Sequence, residues 1–125
     1  QDGGGGMRRV ILESPYAGDV AANVAYARAC LRDCITRGES PIASHLLLTQ
    51  PGVLDDGNSA ERNAGIAAGH AWMRLGVCDA VVVYEDRGLS SGMLSGIAAA
   101  KRAGVPVEYR KLPGYLQATA AEWCA

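Results

Sequence analysis

The sequence has no excess of charge of one sign, because 12 Lys and Arg residues are matched by 13 Asp and Glu residues, and its net charge is -1. A basic surface for nucleic acid and an acidic partner-binding tail are therefore not indicated. It also has no long apolar run: Ala80–Tyr84 is among the longest, far short of the roughly 20 residues that a membrane-spanning helix requires. We expect neither nucleic acid nor a membrane as a partner.

Paired-cysteine motifs are absent as well. Cys30, Cys34, Cys78 and Cys124 form no CxxC pair, which is typical of small core residues in a reducing cytosol. The two histidines, at positions 45 and 70, add no familiar zinc-site spacing. The sequence predicts no metal site, no cofactor and a cytoplasmic location.

The amino terminus reads QDGGGG, without the charged and apolar segments of a secretion signal. We interpret residues 1–6 as the remnant of a tag or linker. Residues 7–112 are predicted to form one α/β domain, and residues 113–125 a C-terminal helical segment. The length of 125 residues fits one domain and is too short for two.

Short apolar runs bounded by turn residues predict four strands. Helix-capping residues mark the helices between them: Asp19 begins the first, Asn58 with Glu61 forms a reciprocal cap on the second, and Ser90 or Ser91 begins the third. Glycines 38, 76 and 104 are predicted to end these helices. The predicted strands are Met7–Glu13, Pro41–Leu48, Ala80–Tyr84 and Val105–Tyr109.

Apolar residues at steps of three and four predict the buried face of each helix. The first face is Val20, Val24, Ala27, Leu31, Cys34 and Ile35; the second is Ala64, Ala67, Ala68, Ala71, Trp72 and Leu75; the third is Met93, Leu94, Ile97 and Ala98. A weaker helical pattern through Tyr115, Thr119 and Trp123 ends the chain.

The regular alternation of strand and helix predicts an α/β fold, a flavodoxin- or Rossmann-like doubly wound parallel sheet of order 2-1-3-4 with helices on both faces. Ligands of such sheets bind at the carboxyl ends of the strands that flank the switch point, here the first and third. The segments Glu13–Asp19 and Tyr84–Gly88 follow those strands and are rich in glycine and polar residues. We therefore expect a ligand site between them.

The order of these motifs carries a resemblance. An apolar strand precedes SPYAGD, then come SHLLLTQPG and VVVYEDRGLSSGM, and GVPV closes the series. The pattern resembles the nucleoside 2-deoxyribosyltransferase-like superfamily, and most closely its small uncharacterised domains from phages and bacteria. The resemblance covers nearly all of residues 7–110 and implies a flavodoxin-like fold, a homo-oligomer, and enzymes that break N-glycosidic bonds with a nucleophilic Glu.

The resemblance implies roles for particular residues. Ser14, Pro15 and Tyr16 correspond to the turn that lines the base pocket, and Asp86, or less readily Glu85, to the acid that closes the third strand. The residues that begin the third helix match the superfamily's Ser-x-Gly-Met pattern. They are Ser90, Ser91, Gly92 and Met93.

The chain departs from the superfamily at the nucleophile, because the expected Glu position holds Gly96. Retaining glycosyl transfer needs a carboxylate at the anomeric carbon. Three interpretations stay open: Gly96 leaves room for a ligand or another subunit, another acid has replaced the nucleophile, or Gly96 is only a packing glycine. The candidate acids are Glu13, Glu61, Glu85 and Asp86.

Several side chains are candidates for holding a ligand without turnover. The backbone at Ser90–Gly92 begins a helix and suits a phosphate or sugar oxygen, and Tyr16 suits stacking on a base. Asp86 is expected to bind ribose hydroxyls or a base amino group and to add little to the fold. Arg87 is either a phosphate contact or a solvated loop residue, and His45 either a ligand contact or a core-edge residue.

Three classes of function follow. The first is a protein that binds a small nucleoside- or nucleotide-type molecule without cleaving it, such as a phage protein that sequesters a nucleotide signal in the host cytoplasm. The second is an N-glycosidic hydrolase or transferase with a relocated carboxylate, and the third is a regulatory module with a vestigial pocket. The absent nucleophile favours the first.

Overall fold

The computed structural model describes residues 6–115 of the chain. Within that range four strands and four helices follow one another along the chain. They are β1 (Arg8–Glu13), α1 (Val20–Thr36), β2 (Glu39–Ile42), α2 (Ser44–Leu47), α3 (Ser59–His70), β3 (Ala80–Tyr84), α4 (Ser91–Ala103) and β4 (Val107–Arg110).

The four strands form one parallel sheet of order β2-β1-β3-β4. The predicted doubly wound α/β fold is thereby confirmed. Every residue of β3 is buried, as expected for a central parallel strand covered on both faces. The carboxyl ends of β1 and β3 lie side by side at the switch point, where such sheets hold their ligands.

The second strand is shorter than the sequence predicts. It ends at Ile42, and residues 44–47 form the single helical turn α2 instead of continuing the strand. The prediction of a strand over Pro41–Leu48 is wrong from Ala43 onward, since a short apolar run does not distinguish strand from buried helix. The turn continues into Thr49, whose hydroxyl donates to the carbonyl of His45 at 2.6 Å.

Helix α1 begins at the predicted cap, where Asp19 accepts a hydrogen bond from the Ala22 amide at 3.2 Å. Its buried face differs from the predicted one, because Val20 and Ile35 are exposed. The helix turns the fully buried Tyr26 toward the sheet, where it packs in the core with Val10, Leu12 and Val82. The buried residues are Ala22, Asn23, Tyr26, Ala27, Cys30 and Cys34.

The alanines of helix α3 are not buried, so the prediction of a buried alanine face is wrong. The helix instead packs through its glycine side. Ala64, Ala67, Ala68 and Ala71 are exposed, and Trp72 and Leu75, beyond the helix end, are 61% and 67% exposed. A Cβ atom at Gly69 would lie 2.5 Å from Ser44 Oγ, so the backbone of α3 approaches α2 closely on its glycine side. Asn58 caps the helix at 3.1 Å from the Glu61 amide, but the Glu61 carboxylate accepts from Asp55 N instead of returning to Asn58.

Helix α4 is capped by Ser90, one of the two predicted capping residues. The Ser90 hydroxyl accepts from Met93 N at 3.2 Å, and Ser90 N donates to Met93 Sδ at 3.3 Å. The helix ends at Gly104 in the left-handed conformation, with φ of 75°, which favours glycine. Leu94 and Ala98, predicted as buried, are exposed, and Gly96, Ala99 and Ala100 are buried beside Met93 and Ile97 instead.

Some predictions fall outside the described range: residues 1–5, the helical pattern through Thr119 and Trp123, and Cys124. Within residues 6–115 the three cysteines are free thiols. No helix in the same range is long and apolar enough to cross a membrane. Nor do His, Cys, Asp and Glu residues cluster there in a group of three or more that could hold a metal ion.

Candidate functional site

A cavity of about 140 Å³ opens beside the carboxyl end of β1, between α2, α3 and the start of α4. It lies where the doubly wound topology places a ligand site. Seven residues named from the sequence line it. They are Glu13, Tyr16, His45, Glu61, Ser90, Ser91 and Gly92.

The turn after β1 is fixed from beneath by α1. The buried Asn23 amide nitrogen donates to the carbonyls of Tyr16 and Ala17, both at 3.1 Å. Arg87 in turn donates to the Asn23 side-chain oxygen at 2.8 Å. Asn23 therefore holds the backbone that presents the Tyr16 ring to the cavity.

His45 is oriented by the same turn, since its Nε2 lies 2.7 Å from Ser14 Oγ. Burial lowers the pKa of His45 to about 4, so the imidazole is neutral at pH 7. Ser14 is buried and does not line the cavity. The pair therefore positions a neutral imidazole and does not offer Ser14 as a nucleophile.

Glu13 lies against Gly96. A Cβ atom at position 96 would be 2.6 Å from the Glu13 carboxyl carbon, closer than two such atoms approach. Burial raises the pKa of Glu13 to about 8, so this carboxyl is mostly protonated at neutral pH. The expectation that Gly96 leaves room for a ligand is wrong, because the Glu13 side chain occupies that space.

The start of α4 provides the polar wall of the cavity. The Ser90 hydroxyl caps the helix, while Ser91 and Gly92 line both the cavity and a shallower depression next to it. Arg62 of α3 lines both as well, and among residues 6–115 its guanidinium has no ion-pair partner. This wall combines unpaired helix N–H groups with a cation and suits an anionic group.

The acidic segment after β3 lies away from the cavity. Asp86 Oδ2 accepts from Tyr26 Oη at 2.6 Å and from Leu112 N at 2.8 Å. The expectation that Asp86 adds little to the fold is therefore wrong. Arg87 reaches Asn23 and Tyr115 Oη, and Glu85, half-buried, does not line the cavity.

The remaining predicted residues are either buried beside the cavity or bound to a neighbouring loop. Pro15, Met93 and Gly96 are buried behind the cavity wall. Glu61 lines the cavity, and its carboxylate accepts a hydrogen bond from Asp55 N at 2.8 Å, which fixes the loop before α3.

Most of the other lining residues come in nearly equal numbers from α2 with the following loop and from α3. Ser44, Leu48 and Thr49 face the cavity beside His45, and Leu54 and Ile66 supply apolar surface. Ser44 and Leu48, and His45 and Thr49, are four residues apart in SHLLLT, which is a helical spacing, but a run this short is equally compatible with a strand. His70 lines the cavity too, and burial, together with Arg102, lowers its pKa.

The comparisons with known proteins add a family but no activity. A family model described as a domain of unknown function (DUF7768) matches residues 8–110. The chain therefore belongs to that family, and the match covers the whole sheet and the cavity. No curated protein matches significantly, nor does any solved structure.

Proposed function

We propose that this member of the DUF7768 family binds a nucleoside- or nucleotide-type molecule in the cavity beside β1 and releases it unchanged. The observation that carries the proposal is the joint lining by an aromatic ring, an unpaired arginine and the start of a long helix: Tyr16, Arg62 and Ser91–Gly92. Tyr16 suits the π-face of a base, and the other two suit an anion.

The position of the depression next to the cavity supports a ligand with two parts. The depression shares Arg62, Ile66, Ser91 and Gly92 with the cavity and adds Ser59, Asn63 and Ser95, whose side chains are polar. The inner cavity adds apolar surface from Leu48 and Leu54, which do not line the depression. A base in the cavity and a sugar phosphate in the depression match this division.

A second candidate function, N-glycosidic hydrolysis, is favoured by one observation. The Glu13 carboxyl lies against position 96, where the resemblance places a nucleophile. A protonated Glu13 can give its proton to the departing base nitrogen while water adds to the anomeric carbon, and the proton that the water releases restores the Glu13 carboxyl. No carboxylate among the described residues at the start of α4 could attack the anomeric carbon directly. We therefore rank hydrolysis below binding.

Thermal unfolding with a panel of ligands separates these functions. We expect one or more of the four ribonucleosides, their 5′-monophosphates and ADP-ribose to stabilise the chain, by about 2.7 kcal/mol at a hundredfold excess over Kd. Chromatography after overnight incubation should return the ligand intact. Release of free base at about 1 per second, an ordinary enzymatic rate, would establish the hydrolase instead, and a panel without any effect would contradict both functions.

We further propose that the chain forms a homo-oligomer. Trp72 and Leu75 leave large apolar side chains in solvent next to the exposed alanines of α3, and we propose that a second copy of the chain covers them. Light scattering at micromolar concentration should then give more than a monomer, and Trp72→Lys should shift the mass toward the monomer. A monomeric parent protein would contradict this part.

We also propose that the chain acts in the cytoplasm as a phage-type protein that sequesters a nucleotide signal.

A further inference from the structure

Glu13 and Gly96 form a matched pair on the α4 side of the sheet. Residues of a strand alternate between its faces, so Glu13 shares the face of Ile11, which packs with Met93 and Ile97 of α4. A Cβ atom at position 96 would lie 2.6 Å from Glu13 Cδ and 3.0 Å from Oε1. The observed position of the carboxyl thus requires glycine at position 96.

The carboxyl is directed at the cavity and has no protein partner. Its oxygens make no hydrogen bond within residues 6–115, yet no fully buried side-chain oxygen or nitrogen in that range lacks a partner. The Glu13 oxygens must therefore reach the cavity, which Glu13 lines. A ligand at this point therefore meets a carboxyl that forms no ion pair and no hydrogen bond with any described residue of the protein.

The protonation of Glu13 follows from this setting. Burial raises its pKa to about 8, and no neighbouring charge contributes to the rise. The other titratable groups that line the cavity are Tyr16 on the same turn, His45 of α2, Asp56 of the loop, and Glu61, Arg62 and His70 of α3; α4 supplies none near Gly96. At neutral pH Glu13 therefore offers one O–H donor and one carbonyl acceptor side by side.

We infer that Glu13 is the specificity-determining residue of the cavity and recognises a base that has an unprotonated ring nitrogen beside an amino group, as adenine and cytosine have. The carboxylic O–H donates to the ring nitrogen, and the carboxyl carbonyl accepts from the amino group. Both bonds form without transfer of a proton. This inference rests on the proposed binding function, to which it adds the class of base.

Two variants test the inference with matched chemistry. Glu13→Gln keeps a donor and an acceptor in nearly the same shape but cannot ionise, whereas Glu13→Ala removes both groups. Adenosine and cytidine are suitable probes because neither changes protonation between about pH 6 and pH 9.5. Binding is measured by calorimetry on variants whose circular dichroism matches that of the parent protein.

For the parent protein we expect the affinity for adenosine or cytidine to fall roughly tenfold between about pH 6 and pH 9.5, as Glu13 loses its proton. Glu13→Gln should bind within about threefold of the parent at the lower pH and show no such fall, and Glu13→Ala should lose roughly tenfold at both. Parent binding that is independent of pH, or unchanged in Glu13→Ala, would overturn the inference alone. Failure of the whole nucleoside and nucleotide panel to bind would overturn the proposed function and the inference with it.

A titration without ligand tests the geometry independently. Carbon-detected NMR should show the Glu13 carboxyl titrating with a midpoint of about 8. In Gly96→Ala the added methyl group should push the carboxyl into the open cavity and move the midpoint toward the ordinary value of about 4.3. A parent midpoint already near that ordinary value would overturn the inference whatever binds.

Discussion

Asp86→Ala is expected to lower the free energy of unfolding by about 3 kcal/mol, the upper range for hydrogen bonds to a charged group. One carboxylate oxygen accepts from Tyr26 Oη at 2.6 Å and from Leu112 N at 2.8 Å, and Asp86 N donates back to Tyr26 Oη at 3.1 Å. Tyr26 is fully buried, so the substitution removes a shared acceptor in the core. Chemical denaturation followed by circular dichroism measures the loss.

Asp56→Ala is the matched control, because Asp56 lies in the loop before α3 and makes no hydrogen bond among the described residues. Its effect should stay within about 0.5 kcal/mol. A fully stable Asp86→Ala protein that no longer binds any nucleotide would show that Asp86 is a ligand group after all.

Arg110→Met is expected to cost about 3–5 kcal/mol, because it leaves a buried carboxylate without its main partner. Arg110 and Glu39 are both buried, and their two hydrogen bonds measure 2.7 and 2.6 Å. They come from the two edge strands, β4 and β2. Arg8 of β1 joins the same network through Glu39 and Glu108, so the network connects strands across the sheet.

The stability that this network contributes should decrease as the pH falls. Hydrogen bonding to Arg110 holds the pKa of Glu39 below its ordinary value, so the pair stabilises the fold fully above the unfolded pKa of about 4.3. That stabilisation is lost as the pH falls through the lower folded pKa. In Arg110→Met this stabilisation is absent, so the free energy of unfolding should fall less steeply with decreasing pH below about pH 4.3 than it does in the parent protein.

The double variant Glu39→Met/Arg110→Met separates the pair from its partners. Replacing both charges with apolar side chains is often neutral, so the double variant should recover most of the stability that Arg110→Met loses. A double variant less stable than the single one would mean that Arg8 and Glu108 carry the network.

The sheet order and the helix caps at Asp19, Ser90 and Gly104 were predictable because the signals that specify them are local. Asp19, Ser90 and Gly104 act on backbone groups within one turn, and strands alternating with helices leave few topologies open. Helix faces were harder, since an alanine-rich helix such as α3 has no strong apolar side. Its packing depends on Gly69 meeting Ser44, a contact that sequence spacing does not encode.

The candidate site was predictable in its position and in seven of its seventeen lining residues. The switch-point rule selected Glu13–Asp19 and Tyr84–Gly88, and only the first of these segments contributes to the cavity, through Glu13, Tyr16 and Ala17. Ser90–Gly92, indicated by the helix start and by the resemblance, line the cavity as well. The role of Asp86 was not foreseen, because its partners Tyr26 and Leu112 lie far away in sequence. The contact of Glu13 with Gly96 joins β1 to α4, and no local pattern indicates it.

Amide chemical-shift mapping with adenosine tests the central claim most directly, because it shows whether a nucleoside binds and where. We predict that the largest shifts fall on Tyr16, Arg62, Ser91 and Gly92, that the amides around Trp72 and Leu75 do not change, and that the adenosine remains intact in the sample. An absence of shifts, shifts confined to residues outside the cavity, or the appearance of free adenine would contradict the account.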